Sequence, residues 1–181
     1  TTTIASPSSA VYPLDCRHSF SRHGFGWLFC SGRGFVSEIE EASFDGLSLE
    51  CLYDILRLRV EVFVVEQQCP YPEIDNLDFE AIHVWINDEQ GLASYLRVIE
   101  EEDTCRIGRV VTRPDARSRG LSRRLIHHVL DRTDGPWALS AQSYLRDWYT
   151  NLGFDQNGPE FLEDGIPHIP MFREIEGIGK S

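Results

Sequence analysis

Three things are scarce in this 181-residue chain: paired cysteines, basic residues and long apolar runs. The five cysteines, Cys16, Cys30, Cys51, Cys69 and Cys105, are odd in number and contain no C-x-x-C pair. That argues against a disulfide framework and points to free thiols in a reducing cytoplasm. Cys16, His18, His23 and Cys30 can be drawn as a ligand set, but their spacing matches no zinc pattern, so no metal is expected. Only 17 Lys and Arg stand against 29 Asp and Glu, a formal net charge of -12. Nucleic acid would demand a broad basic face that such a chain does not offer, whereas a cationic partner suits it. No stretch reaches the roughly 20 apolar residues of a membrane-spanning helix, so no membrane partner is expected.

What remains is the composition of a globular domain, 41% hydrophobic and 25% charged, in a length that one core can serve. Residues 1–35 stand apart. They are rich in serine and carry Arg17, Arg22 and Arg33 against a single acid, Asp15. A Ser- and Arg-rich, acid-poor start has the composition of a transit peptide, and a non-native leader would look the same. The segment is read as a poorly packed extension, and residues 36–181 as one domain.

Within that domain, Phe35, Ser37, Ile39 and Glu41 alternate with Val36, Glu38 and Glu40, which reads as a short first strand to Ala42. Ser48 is a good N-cap for a helix in which Leu49, Leu52, Tyr53, Leu56 and Val60 recur at helical spacing. A β-branched run over 62–68 leads to Cys69-Pro70-Tyr71-Pro72, where the prolines force an extended loop. The acids Glu73, Asp75, Asp78 and Glu80 follow. Segments 81–87 and 92–99 read as a hairpin about Asp88-Glu89-Gln90-Gly91, and 104–112 as the next strand. Beyond Gly135-Pro136 come a strand over 137–141, a helix from Leu145 to Leu152 stopped by Gly153, and strands about Phe154 and over 169–173. The order β, α, three β, α, β, α, two β defines a mixed α+β fold around a central sheet.

The stretch from Arg109 to His128 organises the rest. Val110 and Val111 end a strand, a Pro/Asp break follows, and Leu121, Leu125, Val129 and Leu130 mark a helix. A helix start presents N–H groups without intrahelical acceptors, and Arg117, Arg119, Arg123 and Arg124 surround this one. A basic cluster on an acidic chain points to a phosphate-bearing ligand, the alternative being an ordinary helix start with solvated arginines.

Arg117-Ser118-Arg119-Gly120-Leu121-Ser122 resembles the acetyl-CoA loop of the GNAT acetyltransferases, Arg/Gln-x-x-Gly-x-Gly/Ala, with Ser122 departing at the last position. From about 36 to 176 the chain is similar to the ElaA-like branch. The likeness is carried by the run from Arg59 to Gln67, Cys69-Pro70-Tyr71 with Asp75, Ile107-Gly108-Arg109-Val110, Ala141-Gln142, Trp148-Tyr149 through Gly153-Phe154, and the run from Glu163 to Ile169. The resemblance implies a twisted mixed sheet whose fourth and fifth strands splay apart to admit an acetyl-pantetheine arm.

It further implies acetyl-CoA as co-substrate and a small-molecule primary amine as acceptor. The backbone of Val110, Val111 and Thr112 would hold the arm and offer an N–H to the developing oxyanion, while Arg117, Ser118, Arg119, Gly120, Leu121 and Ser122 would cradle the pyrophosphate. Tyr149 would be the general acid for the departing thiolate. Glu66 is the candidate base, since a carboxylate also binds a cationic amine; His83, Arg97, Gln142 and His168 are further acceptor-side candidates, and a water relay would need none of them. Arg109 is expected to pair with an acid, and Trp148 and Phe154 to be core. A non-catalytic acyl-CoA-binding module fits the same loop. Arg59 and Val62-Phe63 also match acyl-homoserine-lactone synthases, which would have no use for a coenzyme A loop. Some GNAT proteins pair through edge strands, so a homodimer is the expected assembly.

Overall fold

Ser48 begins the first helix as its position predicts: its Oγ accepts the Cys51 N–H at 3.1 Å, filling one of the donors that a helix start leaves open. The structure, a computed structural model, describes residues 38–132 and 135–174. The extension 1–35, with Cys16, His18, His23 and Cys30, lies outside the described residues, as does the beginning of the expected first strand.

Helix α1, Leu49–Arg59, turns a different face inward from the one its spacing suggested. Leu49 and Tyr53 are 82% and 68% exposed, whereas Ile55, Leu58 and Val62 pack against Trp85, Tyr95 and Val111. Apolar residues lie on two sides of this helix, so periodicity alone did not choose between them. The chosen rotation also sends Arg59, fully buried, toward the acids that follow. The β-branched run then stays helical, widened into π turns over Val60–Glu66. Branched side chains crowd a regular α-turn, and a π turn places Phe63, Glu66 and Gln67 at the edge of a cleft.

The described residues contain eight strands. These are β1 Ile39–Ser43, β2 Ile82–Asp88, β3 Gly91–Glu100, β4 Cys105–Thr112, β5 Trp137–Gln142, β6 Asp155–Gln156, β7 Phe161–Glu163 and β8 Ile166–Arg173. They form one sheet in the order β1-β2-β3-β4-β5-β8-β6, with β7 also paired to β8. Neighbours are antiparallel except β4 and β5, which are parallel and joined through α2, Leu121–Leu130. Helix α3, Arg146–Thr150, follows β5. β3 is buried from Leu92 to Ile99, as a central strand covered on both faces must be. One face carries α1. The other packs Leu96, Ile107 and Leu139 against Leu125 and Ile126 of α2 and against Phe154.

Two C-terminal strands were expected and three are present. Asp164 and Gly165, at φ 50° and 82°, form the tight turn between β7 and β8. Asp-Gly is a strong two-residue hairpin signal, so this turn was readable in the sequence.

Candidate active site

β4 and β5 are hydrogen-bonded only at Cys105 with Trp137 and Arg106 with Ala138, although each strand runs on for several residues. Beyond that point they part, as the resemblance implied. The cleft between them has a volume of about 1040 Å³, and its walls include Gly108 to Thr112, Leu139 to Gln142, and Tyr149. β4 is also irregular on its other side. Tyr95 pairs with Val111 and Arg97 with Gly108, so β4 carries one residue more than β3 between these pairs. Arg109, inside this bulge, has φ 53°. Bulges bend a strand and release backbone groups from the ladder, here on the wall of the cleft.

The loop after β4 enters α2 through Ser118 and Gly120, at φ 61° and 74°. Gly120 caps α2 without a side-chain hydrogen bond, which leaves the first-turn N–H groups available to an anion. A Cβ on Gly120 would meet nothing within 4 Å, so the space in front of the helix is open. Arg117, Ser118, Gly120, Leu121, Ser122 and Arg123 all line the cleft. Leu121 also anchors the turn in the core. Ser122 Oγ lies 2.6 Å from Thr112 Oγ1, which is 2.8 Å from Ser94 Oγ, so this hydroxyl ties the loop to the sheet. Arg119 is held by Asp88 at 2.7 Å and does not line the cleft.

Tyr149 is 5% exposed and packed edge-on to Trp148 and Phe154, yet it lines the cleft and no described residue bonds its hydroxyl. Burial pushes the phenol up from its ordinary value, so it stays protonated. Glu66 also lies on the cleft, where both its oxygens accept from the Arg117 guanidinium at 2.8 and 2.7 Å. That fork holds its carboxyl below the usual range, which makes Glu66 a weak base while the pair persists.

Of the acceptor-side candidates, Gln142 and His168 are register neighbours on β5 and β8, and both line the cleft. Gln142 Nε2 donates to Gln67 Oε1 at 3.1 Å, and His168 Nδ1 lies 2.9 Å from the Ile166 carbonyl. His83 is different. It is fully buried, its ring nitrogens lie 2.8 Å from Tyr95 Oη and 3.0 Å from the Asp78 carbonyl, and it does not line the cleft. Its strand was assigned correctly, but the side chain points into the packing under α1, where burial lowers its pKa and keeps it neutral.

Arg97 borders the cleft but is 3% exposed and bound to acids, as part of a group that the sequence reading did not assemble. Arg59 Nε donates to Glu73 Oε1 at 2.5 Å and its Nη1 to Asp78 Oδ1 at 2.6 Å. Arg97 reaches Asp75 at 2.8 and 2.5 Å and Asp78 at 2.9 Å. Arg109 Nε lies 2.6 Å from Glu73 Oε2, and its Nη2 donates to Asp75 at 3.1 Å. Tyr71 donates to Glu73 Oε2 at 2.6 Å. Three guanidinium groups thus compensate three carboxylates beneath one wall of the cleft. The acids after Pro72 were visible in the sequence, and Arg109 was expected to pair; the partners were hidden by their distance along the chain. Among the described residues, no group of His, Cys, Asp or Glu is placed to hold a metal ion, and no helix is long and apolar enough to cross a membrane.

A parted parallel strand pair beside a basic helix start defines the acyl-CoA N-acyltransferase fold, and comparison with known proteins agrees. The acetyltransferase (GNAT) domain family matches residues 51–175, and the chain belongs to that family. It is 47% identical over 139 residues to a UPF0039 protein of Mycobacterium tuberculosis, covering 72% of this chain and 89% of that one. Among solved structures it is similar to an acyl-CoA N-acyltransferase from Pseudomonas aeruginosa, with 39% identity, a TM-score of 0.72 and coverage of 76% and 99%. Escherichia coli ElaA is also similar, with 34% identity, a TM-score of 0.71 and the same coverage.

Proposed function

We propose that this protein transfers an acetyl group from acetyl-CoA to the primary amine of a small acceptor. The observation that carries the reading is Tyr149, a residue buried against Trp148 and Phe154 whose hydroxyl has no partner among the described residues, on the same cleft as the stretch of β4 that has parted from β5. The residues present fit the co-substrate: open N–H groups and Arg117 at the helix start for the pyrophosphate, and the β4 edge from Val110 to Thr112 for the arm. Acetyl-CoA supplies an acyl group activated as a thioester.

The chain's own groups meet the remaining needs. Backbone N–H groups at the β4 bulge are fixed donors for the thioester carbonyl oxygen as it gains charge, a role that needs no side chain. Tyr149 donates its proton to the departing sulfur. A phenol of ordinary pKa about 10 is a weaker acid than a thiol near 8.5, and burial raises the phenol further; the same burial disfavours the departing thiolate, which offsets that rise. Gln142 and His168 face the acceptor side with polar atoms. Glu66, held by Arg117, contributes mainly a charge at the mouth, and a water relay removes the amine proton.

Thiol release measured over a panel of amines tests this reading, with acetyl-CoA binding followed by calorimetry. Tyr149→Phe should lower kcat by about 100-fold with acetyl-CoA affinity unchanged, within the range for loss of a general acid. Full turnover in that variant would remove Tyr149 from the reaction, and absence of acetyl-CoA binding in the wild type would refute the function.

A further inference from the structure

Arg109 is the residue of β4 whose backbone lies in the left-handed region, at φ 53°. A side chain rarely adopts that conformation unless its surroundings enforce it. Here the enforcement is visible. Its guanidinium lies against Glu73 at 2.6 Å, donates to Asp75 at 3.1 Å and to the Glu73 carbonyl at 3.3 Å, and sits 5.7 Å from the centre of the Tyr71 ring. The two acids are themselves fixed from behind by Arg59 of α1 and Arg97 of β3. A continuous set of contacts therefore runs from helix to loop to sheet. It ends at the point where β4 departs from regular pairing and its backbone forms the cleft wall.

We propose that the cluster of Arg59, Glu73, Asp75, Asp78, Arg97 and Arg109 is a positioning device for acyl transfer. It pins Arg109 in its left-handed conformation and so aims the backbone of Val110 to Thr112 into the cleft. Arg109 is a positioning residue, not one that touches the reacting atoms. The inference rests on the acetyltransferase reading of the cleft. A buried ion cluster is seldom more stable than apolar packing of the same volume, so stability alone is a poor reason for building one here. Its three guanidinium groups and three carboxylates balance in formal charge.

Glycine and alanine at position 109 separate positioning from mere packing. Arg109→Ala removes the pin and keeps the strain, and kcat should fall by about 100-fold, the scale of a group misplaced by about 1 Å. The KM for acetyl-CoA should stay within about 3-fold of wild type, since the pyrophosphate loop is untouched. Arg109→Gly also lacks the pin but accepts φ 53° without steric cost, so it should recover part of the lost kcat. In an ordinary strand glycine is the worse of the two. Arg109→Lys keeps the charge without the fork and should fall between wild type and alanine. The pH profile of kcat should keep its shape in all three, because the substitutions displace a backbone donor and leave the proton-transferring groups in place.

A wild-type kcat in Arg109→Ala, a kcat for Arg109→Gly below that of Arg109→Ala, or a loss confined to KM would overturn the proposal. Should Arg109→Ala not fold, Asp75→Asn decides: the expected result is a several-fold loss of kcat at constant KM, and unchanged kcat would overturn it. Wild-type protein that binds acetyl-CoA but releases no thiol with any amine would overturn the catalytic reading and this inference together. Wild-type turnover with unaffected variants would overturn this inference alone.

Discussion

Gly120 is where the coenzyme reading is most exposed to test. It stands at φ 74° in front of α2, and a Cβ there would meet nothing within 4 Å. Replacement therefore costs the free protein backbone strain alone, about 1–2 kcal/mol for a residue forced into the left-handed region and less for asparagine. For a chain of this length each kcal/mol lowers the Tm by about 2–4 °C, so Gly120→Val should unfold about 2–8 °C below wild type, and Gly120→Asn closer to it. The same open space is where a pyrophosphate meets the first-turn N–H groups. Hydrogen bonds to a charged partner are worth about 1.5–3 kcal/mol each. Obstructing two of them should weaken acetyl-CoA by roughly 3–6 kcal/mol, a factor of about 10² to 10⁴. Calorimetric titration beside thermal unfolding reads both effects on the same samples. If Gly120→Asn and Gly120→Val fold normally and bind acetyl-CoA as the wild type does, the loop is only a helix start and the assignment of the pyrophosphate fails.

Arg59→Met should cost about 3–5 kcal/mol in denaturant unfolding, because it strands the buried carboxylates of Glu73 and Asp78, 4% and 5% exposed; a loss below about 1 kcal/mol would mean the cluster repacks freely. Burial by itself raises the Asp75 carboxyl, but Arg97, the Leu77 N–H and Arg109 reverse that and hold it at about 2. A carboxyl depressed in the folded state adds stability above its unfolded pKa and loses it as pH falls through the folded value. Stability should thus be level above about pH 5 and fall between pH 4 and about 2 by roughly 2 kcal/mol that Asp75→Asn no longer shows; an identical acid limb in that variant would contradict the assignment. Glu66→Gln should change kcat by less than about 10-fold, since its carboxylate is committed to Arg117. A loss of about 10² or more would restore Glu66 as the general base.

Much of the candidate site was legible because its signals are local. Ser48 caps its helix through its own side chain, and Gly120 sits directly before α2 in the left-handed conformation that glycine favours. The loop from Arg117 to Ser122 and the neighbouring strand edge are contiguous in sequence, so composition and spacing placed them together. What failed was whatever depended on rotation or on distant partners. Leu49 and Tyr53 share a helical stripe with Leu56, but the sheet receives Ile55 and Leu58 instead. His83 sits on the strand predicted for it, yet its ring is taken up by Tyr95 and the Asp78 carbonyl and does not reach the cleft.

The sequence by itself determined the order of the elements from β1 to α3, the basic helix start on an acidic chain and the placement of Tyr149 behind the fifth strand. Each follows from the backbone preferences of neighbouring residues. Only the tertiary structure decided that β4 and β5 part after two residue pairs, that Arg109 occupies a left-handed bulge, and that Arg59, Arg97 and Arg109 converge on the acids after Pro72. Those outcomes require chain segments far apart in sequence to share one buried volume. There the desolvation of each charge is offset only by partners that the fold as a whole brings together.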